Sequence, residues 1–423
     1  MSSSLRWYEW DSRFIAAHHQ PAVLLDLALS RGIDSHALLR GSGLFYEDIA
    51  SGRARVSPAQ LLTLIGNAER LLGAADSSFL FGQRLLPGHY GEVSLALANA
   101  GNLEQALERL CQFRALLCPL LAPRLLLDER QIHLYWLDGG ASGRHQRFLA
   151  EAHLTAIVAL CKRGSGLRLP WRFQFAYAQP RHIEQYWVHL GDALQFDRQL
   201  TLLSLPREYL HQPWPEASTT VGQVAVQASQ QQIDALDGPC AFLDAFYQYL
   251  EAHIREPLNL ERVAVAFAMS PATLKRKLAK HGTHFQEQLD LVRKHVALYL
   301  YQACGLGNEA VARHLASTTP PISAALSSAG QAWCPADCSH CSTHPEEMLR
   351  FGPHYLRCKR TGHGHQAAEV SRGARRNAAF QPGGGALSRH PADAVDAPAH
   401  PGRRARSAAG DSWPALRRLH ARR

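Results

Sequence analysis

Residues 258–279, LNLERVAVAFAMSPATLKRKLA, constrain the fold of this chain more than any other stretch. They read as two short helices with a sharp turn between them. Leu260, Val263, Ala264 and Phe267 fall at helical spacing and give the first helix one apolar face. The turn falls near Ala268 and Met269. Ser270 then reads as an N-cap, and Pro271 takes the first helical position, where its missing N–H costs nothing. The second helix buries Leu274 and Leu278 and shows Thr273, Lys275, Arg276, Lys277 and Lys280 on its other face. A second helix held this way can enter the DNA major groove and read bases from its N-terminal half. An ordinary amphipathic pair with a solvated basic face uses the same residue types, so the neighbouring sequence has to decide.

The run continues Gly282-Thr283-His284-Phe285-Gln286-Glu287-Gln288-Leu289-Asp290-Leu291-Val292-Arg293. Ala297 and Leu300 follow, and then Asn308-Glu309-Ala310-Val311-Ala312-Arg313-His314-Leu315-Ala316. This resembles the DNA-binding domain of AraC/XylS-type transcription regulators, which holds two helix-turn-helix units joined by one long helix. In this chain the joining helix is expected over residues 286–304 and the next helix over 308–316. The resemblance implies double-stranded DNA as a partner. It places base-edge contacts at Ala272, Lys275 and Arg276, with Thr273 beside them and Ser270 at the cap. Arg or Lys can donate to guanine O6 and N7, whereas Ala272 offers only a methyl contact. Lys277 and Lys280 are expected to face phosphate or water, where contacts add affinity without selectivity.

Net charge does not support that reading. The chain carries +9, but residues 340–423 hold 15 Lys+Arg against 6 Asp+Glu, and residues 317–339 hold only Asp337. Residues 1–316 therefore hold 30 basic and 29 acidic residues. The case for DNA rests on the basic face around Lys275, not on bulk charge. No apolar run approaches the roughly 20 residues that span a bilayer, and the opening MSSSLRWYEWDSRF lacks a signal-peptide core. A cytoplasmic location with no membrane partner is expected. Cys111, Cys118, Cys161, Cys240 and Cys304 sit singly in apolar helical contexts and read as buried reduced thiols.

The N-terminal half mixes helices and short strands. Helices are expected over residues 20–31, from Pro58 behind an N-cap Ser57 to a stop at Gly73, after Asn102, over 146–163, and over 181–189. Residues 124–128 and 131–136 read as paired strands, with further strands at 173–177 and 202–206. The order GHYGEVSLALANAGNLEQALERL, strand pair, long helix and LQFDRQLTLLSLPREYL resembles the arabinose-binding-type regulatory domain of one AraC subgroup. That resemblance covers roughly residues 20–208 and implies a small-metabolite effector, whose identity it leaves unknown. Single aromatics such as Trp136 and Tyr177 are read as core, so no effector residues are named. Residues 212–239 are polar and small, with Pro and Gly at the ends, and read as a linker or a poorly packed helix. An amphipathic helix from Cys240 opens the DNA-binding domain.

The family pattern stops at Ala316. The next segment, STTPPISAALSSAGQAWCPADCS, has three prolines and no basic residue where a second recognition helix is due, and Pro320-Pro321 forbids a regular helix there. Permitted codons for residues 316–334, read from the last base of the Ala316 codon, yield Phe-His-Asp-Ala-Ser-Asn-Phe-Arg-Arg-Ser-Phe-Lys-Arg-Trp, which looks like the missing ending. A single-base loss near that codon is therefore expected, with an out-of-frame, disordered tail after it. Cys334, Cys338 and Cys341, with His340, His344 and Cys358 nearby, sit at an irregular C-x3-C-x2-C spacing and are read as accidental rather than as a zinc site.

The sequence thus predicts an α+β regulatory domain over 1–211, a linker over 212–239, an all-α helix-turn-helix domain over 240–316 with its second unit incomplete, and a disordered tail over 317–423. The expected function is a sequence-specific DNA-binding transcription regulator that answers to a small-molecule effector and is open to homodimer formation. The alternative is a frameshifted remnant that binds ligand but has little specific DNA affinity. No G-x-S-x-G, H-E-x-x-H, P-loop or Rossmann fingerprint is present, so no enzyme, cofactor or metal is expected.

Overall fold

The computed structural model describes residues 6–138, 143–236, 238–302 and 306–315. Cys304, Ala316, the proline-rich segment after it and the cysteine cluster lie outside the described residues. The first part of the chain runs β1 (Ile15–Ala16), α1 (Gln20–Ser30), α2 (Ser35–Leu39), α3 (Tyr46–Ala50), β2 (Arg55–Val56), α4 (Pro58–Leu72), α5 (Ser77–Leu85), α6 (Glu92–Ala98), α7 (Leu103–Gln112) and α8 (Arg114–Leu117). Then come β3 (Leu121–Leu127), β4 (Gln131–Asp138), α9 (Gln146–Ser165), β5 (Arg172–Gln174), α10 (Ile183–His189), β6 (Leu194–Gln195), β7 (Leu202–Pro206) and α11 (Thr219–Asp234). The remainder is helical: α12 (Phe242–Ala252), α13 (Leu260–Ala266), α14 (Pro271–Lys280), α15 (Phe285–Gln302) and α16 (Asn308–His314).

Local chemistry sets these boundaries. Ser57 caps α4 by accepting from the Gln60 N–H while the Gln60 side chain accepts from the Ser57 N–H, and Gly73 ends the helix in a left-handed conformation with φ 55°. Asn102 caps α7 by accepting from the Gln105 N–H at 3.0 Å. The apolar stretch after Asn102 is not one helix: it breaks at Phe113, whose φ of −100° and ψ of 23° leave the helical well, and α8 is a separate turn. The expected strand at 173–177 shortens to Arg172–Gln174.

The main sheet has the order β3-β4-β7-β5-β6, antiparallel except for the β5–β6 pair. Its two faces serve two cores, because successive strand residues point to opposite sides. Ile132, Leu134, Leu203 and Leu205 face the helices of the N-terminal region. Ala122, Tyr135, Leu137 and Leu202 face α12 and the helices after it. The stretch expected as a linker or loosely packed helix carries the 16-residue α11, which buries Gly222, Ala225, Ser229 and Ile233.

A buried ion cluster ties α12 to the sheet. Asp244 on α12 accepts from Arg114 Nε at 2.7 Å, from the Arg124 guanidinium on β3, and from Gln248 at 3.0 Å. Burial alone would push the Asp244 carboxyl up, but the two arginines hold it well below the usual carboxylate range. Two turns on, burial raises Glu251 to about 7; the pull of Arg124 lowers it and the Asp244 charge raises it further. Tyr247 shares a 2.9 Å hydrogen bond with His295 Nδ1 on α15, whose imidazole burial holds near 3.

Candidate nucleic-acid interface

The two helices read from residues 258–279 are α13 and α14, and the residues between them make the turn. Asn259 caps α13 by accepting from the Arg262 N–H at 2.9 Å. Ala268 sits at φ 53°, a left-handed conformation that a residue with a Cβ adopts at a cost of roughly 1 kcal/mol. Met269 N–H donating to Ala264 O at 2.9 Å secures that turn. Ser270 Oγ then accepts from the Thr273 N–H at 3.1 Å, with Pro271 at the first helical position.

Packing decides which side chains α14 can offer. Leu274 and Leu278 are fully buried against Val263, Ala264 and Phe267. Ala272, Lys275 and Arg276 are exposed, and Thr273 is half-buried beside the cap. Among the described residues, Lys275 and Arg276 make no ion pair. All seven residues read as candidates from the sequence therefore lie on α14 or its cap, and five of them, Ser270, Ala272, Lys275, Arg276 and Lys280, are exposed.

The two remaining lysines are differently placed. Lys277 is half-buried and ion-paired with Glu9, and its ammonium lies 5.5 Å from the Trp7 ring and 5.1 Å from the Phe242 ring. Trp7 Nε1 donates to the same Glu9 carboxylate at 2.7 Å. Burial would raise the Glu9 carboxyl, but the hydrogen bonds from Lys277 and Trp7 carry it below its ordinary value. Lys280 reaches Asp11 at 3.4 Å across an exposed gap. His281, at the end of α14, is buried and stacks on Phe242; burial depresses its pKa, with the Glu9 charge opposing. These contacts were not legible in the sequence, since 268 positions separate Glu9 from Lys277. The N-terminal segment is held in place by Tyr8, whose N–H donates to Cys240 O at 2.9 Å and whose hydroxyl donates to Pro119 O at 3.0 Å.

The second helix pair is α15 and α16. Tyr301 OH donates to Asn308 at 2.9 Å, and Val311 and Leu315 are buried in the second core. The proline-rich segment where a second recognition helix is due lies beyond Leu315, outside the described residues.

A cavity of about 10 Å³ lies among Gln20, Ile65, Phe81, Leu117, Leu149 and His153. Gln20 Oε1 has no hydrogen-bond partner there, and burial lowers His153 to about 4, so its ring is neutral. That volume holds about one water, far below the few hundred Å³ of a drug-sized ligand site. The four described cysteines among those read as buried thiols, Cys111, Cys118, Cys161 and Cys240, are buried and form no disulfide. No helix among the described residues is long and apolar enough to cross a membrane.

Residues 32–214 match the family described as the arabinose-binding domain of AraC transcription regulator, N-terminal. The chain is 28% identical over 277 residues to an ornithine utilization regulator of Pseudomonas aeruginosa, covering 65% of this chain and 82% of that protein. The crystal structure of the transcriptional regulator CdpR from Pseudomonas aeruginosa aligns with 18% identity over 78% of this chain and 98% of that one, at a TM-score of 0.37, too low to carry an argument. Through residues 32–214 and this relative, the chain is similar to AraC-type transcription regulators.

Proposed function

We propose that this regulator binds double-stranded DNA sequence-specifically through α14, under the control of a small-molecule effector. The observation that carries the reading is the split on that helix: Leu274 and Leu278 anchor it, while Ala272, Lys275 and Arg276 stand exposed at its N-terminal half. Arg276 and Lys275 are the base-reading side chains, Thr273 and Ser270 hold the helix start, Lys280 supplies charge toward phosphate, and Lys277 supplies less because Glu9 holds it. The function divides along the chain, with effector binding in residues 1–211, a connection over 212–239 and DNA binding over 240–316. Residues 317–423 are an out-of-frame tail, which the nucleotide sequence around codon 316 tests directly: absence of the Phe-Lys-Arg-Trp string in the neighbouring frame sinks that part.

The relative named for ornithine utilisation makes ornithine and similar small amino acids the first effectors to try. A homodimer matches the two-fold sites that such proteins commonly read. A second reading, a ligand-binding remnant with little specific DNA affinity, is favoured by one observation: the family's sequence pattern ends at Ala316, before a second recognition helix. Fluorescence anisotropy on the gene's upstream region and on random DNA, at stated salt, separates the two readings. Strong preference for the upstream DNA supports specific regulation, and equal affinity supports the remnant.

A further inference from the structure

We infer that residues 6–13 form a second part of the DNA contact surface, in which Arg6 and Arg13 hold backbone phosphates of a duplex seated on α14. The inference rests on the reading of α14 as the DNA helix and deepens it with a contact from outside residues 240–316.

The segment is built into the helical region. Tyr8 forms a parallel bridge with Ala241, besides its hydrogen bonds to Cys240 O and Pro119 O. The Trp7 ring meets Phe242 at 5.5 Å and Phe267 at 5.6 Å. Trp7 runs so close to Gly238 that a Cβ on that glycine would stand 2.2 Å from the Trp7 carbonyl carbon. Ser12 N–H donates to Glu9 O at 3.1 Å, and Ser12 Oγ accepts from the Glu9 N–H at 3.0 Å, so residues 9–12 form a turn. Ala59 N–H donates to Trp10 O at 3.1 Å and fixes that turn to the start of α4.

This anchoring sorts the charges. Residues 6–13 and α14 together carry six basic side chains, Arg6, Arg13, Lys275, Arg276, Lys277 and Lys280, against two acidic ones, Glu9 and Asp11. Glu9 pairs with Lys277 and Asp11 with Lys280. The four cations left over are Lys275 and Arg276 on the helix and Arg6 and Arg13 on the segment. Both arginines are exposed, and among the described residues neither makes an ion pair. Arg13 follows Asp11 by two residues, a span of at most about 7 Å, and Asp11 lies 3.4 Å from Lys280. Arg6 adjoins Trp7, whose ring borders the Lys277 ammonium. The two arginines therefore bracket the contact with the C-terminal half of α14.

That placement selects the ligand. A helix in a major groove about 12 Å wide has phosphate strands along its flanks. Duplex DNA offers one negative charge per roughly 1.7 Å of axis. A guanidinium takes a phosphate through two parallel N–H bonds and gains no sequence information from it. Arg6 and Arg13 thus add affinity and salt dependence, while Lys275 and Arg276 carry selectivity.

Anisotropy titrations of the full chain test this, with the gene's upstream region and a random duplex, over roughly 50–200 mM salt. Arg6→Gln and Arg13→Gln should each lower the slope of log affinity against log salt by about 0.9, and the double variant by about twice that. The loss should be equal on both duplexes and leave their affinity ratio unchanged. Arg168→Gln, at an exposed arginine on the loop before β5, should keep the wild-type slope. A folded double variant with the wild-type slope, or an equal fall in Arg168→Gln, overturns the inference. A wild type that binds both duplexes equally overturns only sequence-specific reading, and the slopes still decide the role of the arginines. A wild type that binds neither duplex overturns both.

Discussion

Lys277, on the helix proposed to read DNA, is ion-paired with Glu9 in the N-terminal segment, 268 positions earlier in the chain. A lysine held by a carboxylate and by the faces of Trp7 and Phe242 contributes less positive field to DNA than a free one. Glu9→Gln should therefore tighten DNA binding by about 2- to 5-fold at low salt, the scale of a partly exposed pair worth roughly 0.2–1 kcal/mol. The gain should fade as salt rises. Anisotropy titrations of both chains at two salt concentrations check it; equal affinities at low salt count against the pair's masking Lys277.

Arg276 and Lys280 should fail in different ways. Arg276→Ala should cost about 1–3 kcal/mol on a specific site and little on random DNA, because a guanidinium on a base edge carries sequence information. Lys280→Ala should weaken binding evenly on both and reduce the salt slope by about one. Competition titrations with specific and random duplexes distinguish them. Equal losses on both duplexes for both variants would remove α14 from base reading.

Asp244 is the joint between α12 and the sheet, and its loss strands two arginines. Asp244→Asn should lower stability by about 3–5 kcal/mol, the range for removing one member of a buried ion pair. Because Arg114 and Arg124 depress its carboxyl in the folded chain, this stabilisation is present above the ordinary carboxylate pKa of about 3.9 and is lost only as pH falls below it. Chemical denaturation at pH 7 gives the size, and a loss within about 0.5 kcal/mol of zero would show that the cluster is not a joint.

Glu251 should have the opposite sign. Burial raises its folded pKa to about 7, above the ordinary value near 4.3. The folded chain then binds more protons than the unfolded one between those values, so ionising Glu251 destabilises the fold as pH rises through that window. Glu251→Gln should match the wild type near pH 4.5 and exceed it by about 1–3 kcal/mol at pH 8. Denaturation midpoints across that range test it; a constant difference would place the titration elsewhere.

Legibility from the sequence followed the range of the interactions. Ser57, Asn102 and Ser270 were readable as caps because each accepts from an N–H only three residues on. The β3–β4 hairpin was readable because alternation and turn signals are also local. The break at Phe113 was hidden, since the apolar period runs through it and tertiary packing interrupts the helix. The α11 stretch looked loose because its buried residues are small: Gly222, Ala225 and Ser229 carry little apolar signal yet permit close approach. At the site, the residues on α14 were legible as a pattern. Glu9 and Asp11, which occupy two of its lysines, were not, because the fold alone brings chain positions that far apart together.

The central claim is that exposed Arg276 and Lys275 on α14 read DNA sequence. Its most direct measurement is the ratio of dissociation constants for the upstream region and for random DNA, in wild type and in Arg276→Ala, at one physiological salt concentration. The account predicts a ratio of at least about 10³ for the wild type that falls by about 10-fold or more in the variant. A ratio near one in the wild type, or a large ratio that Arg276→Ala leaves unchanged, would contradict it.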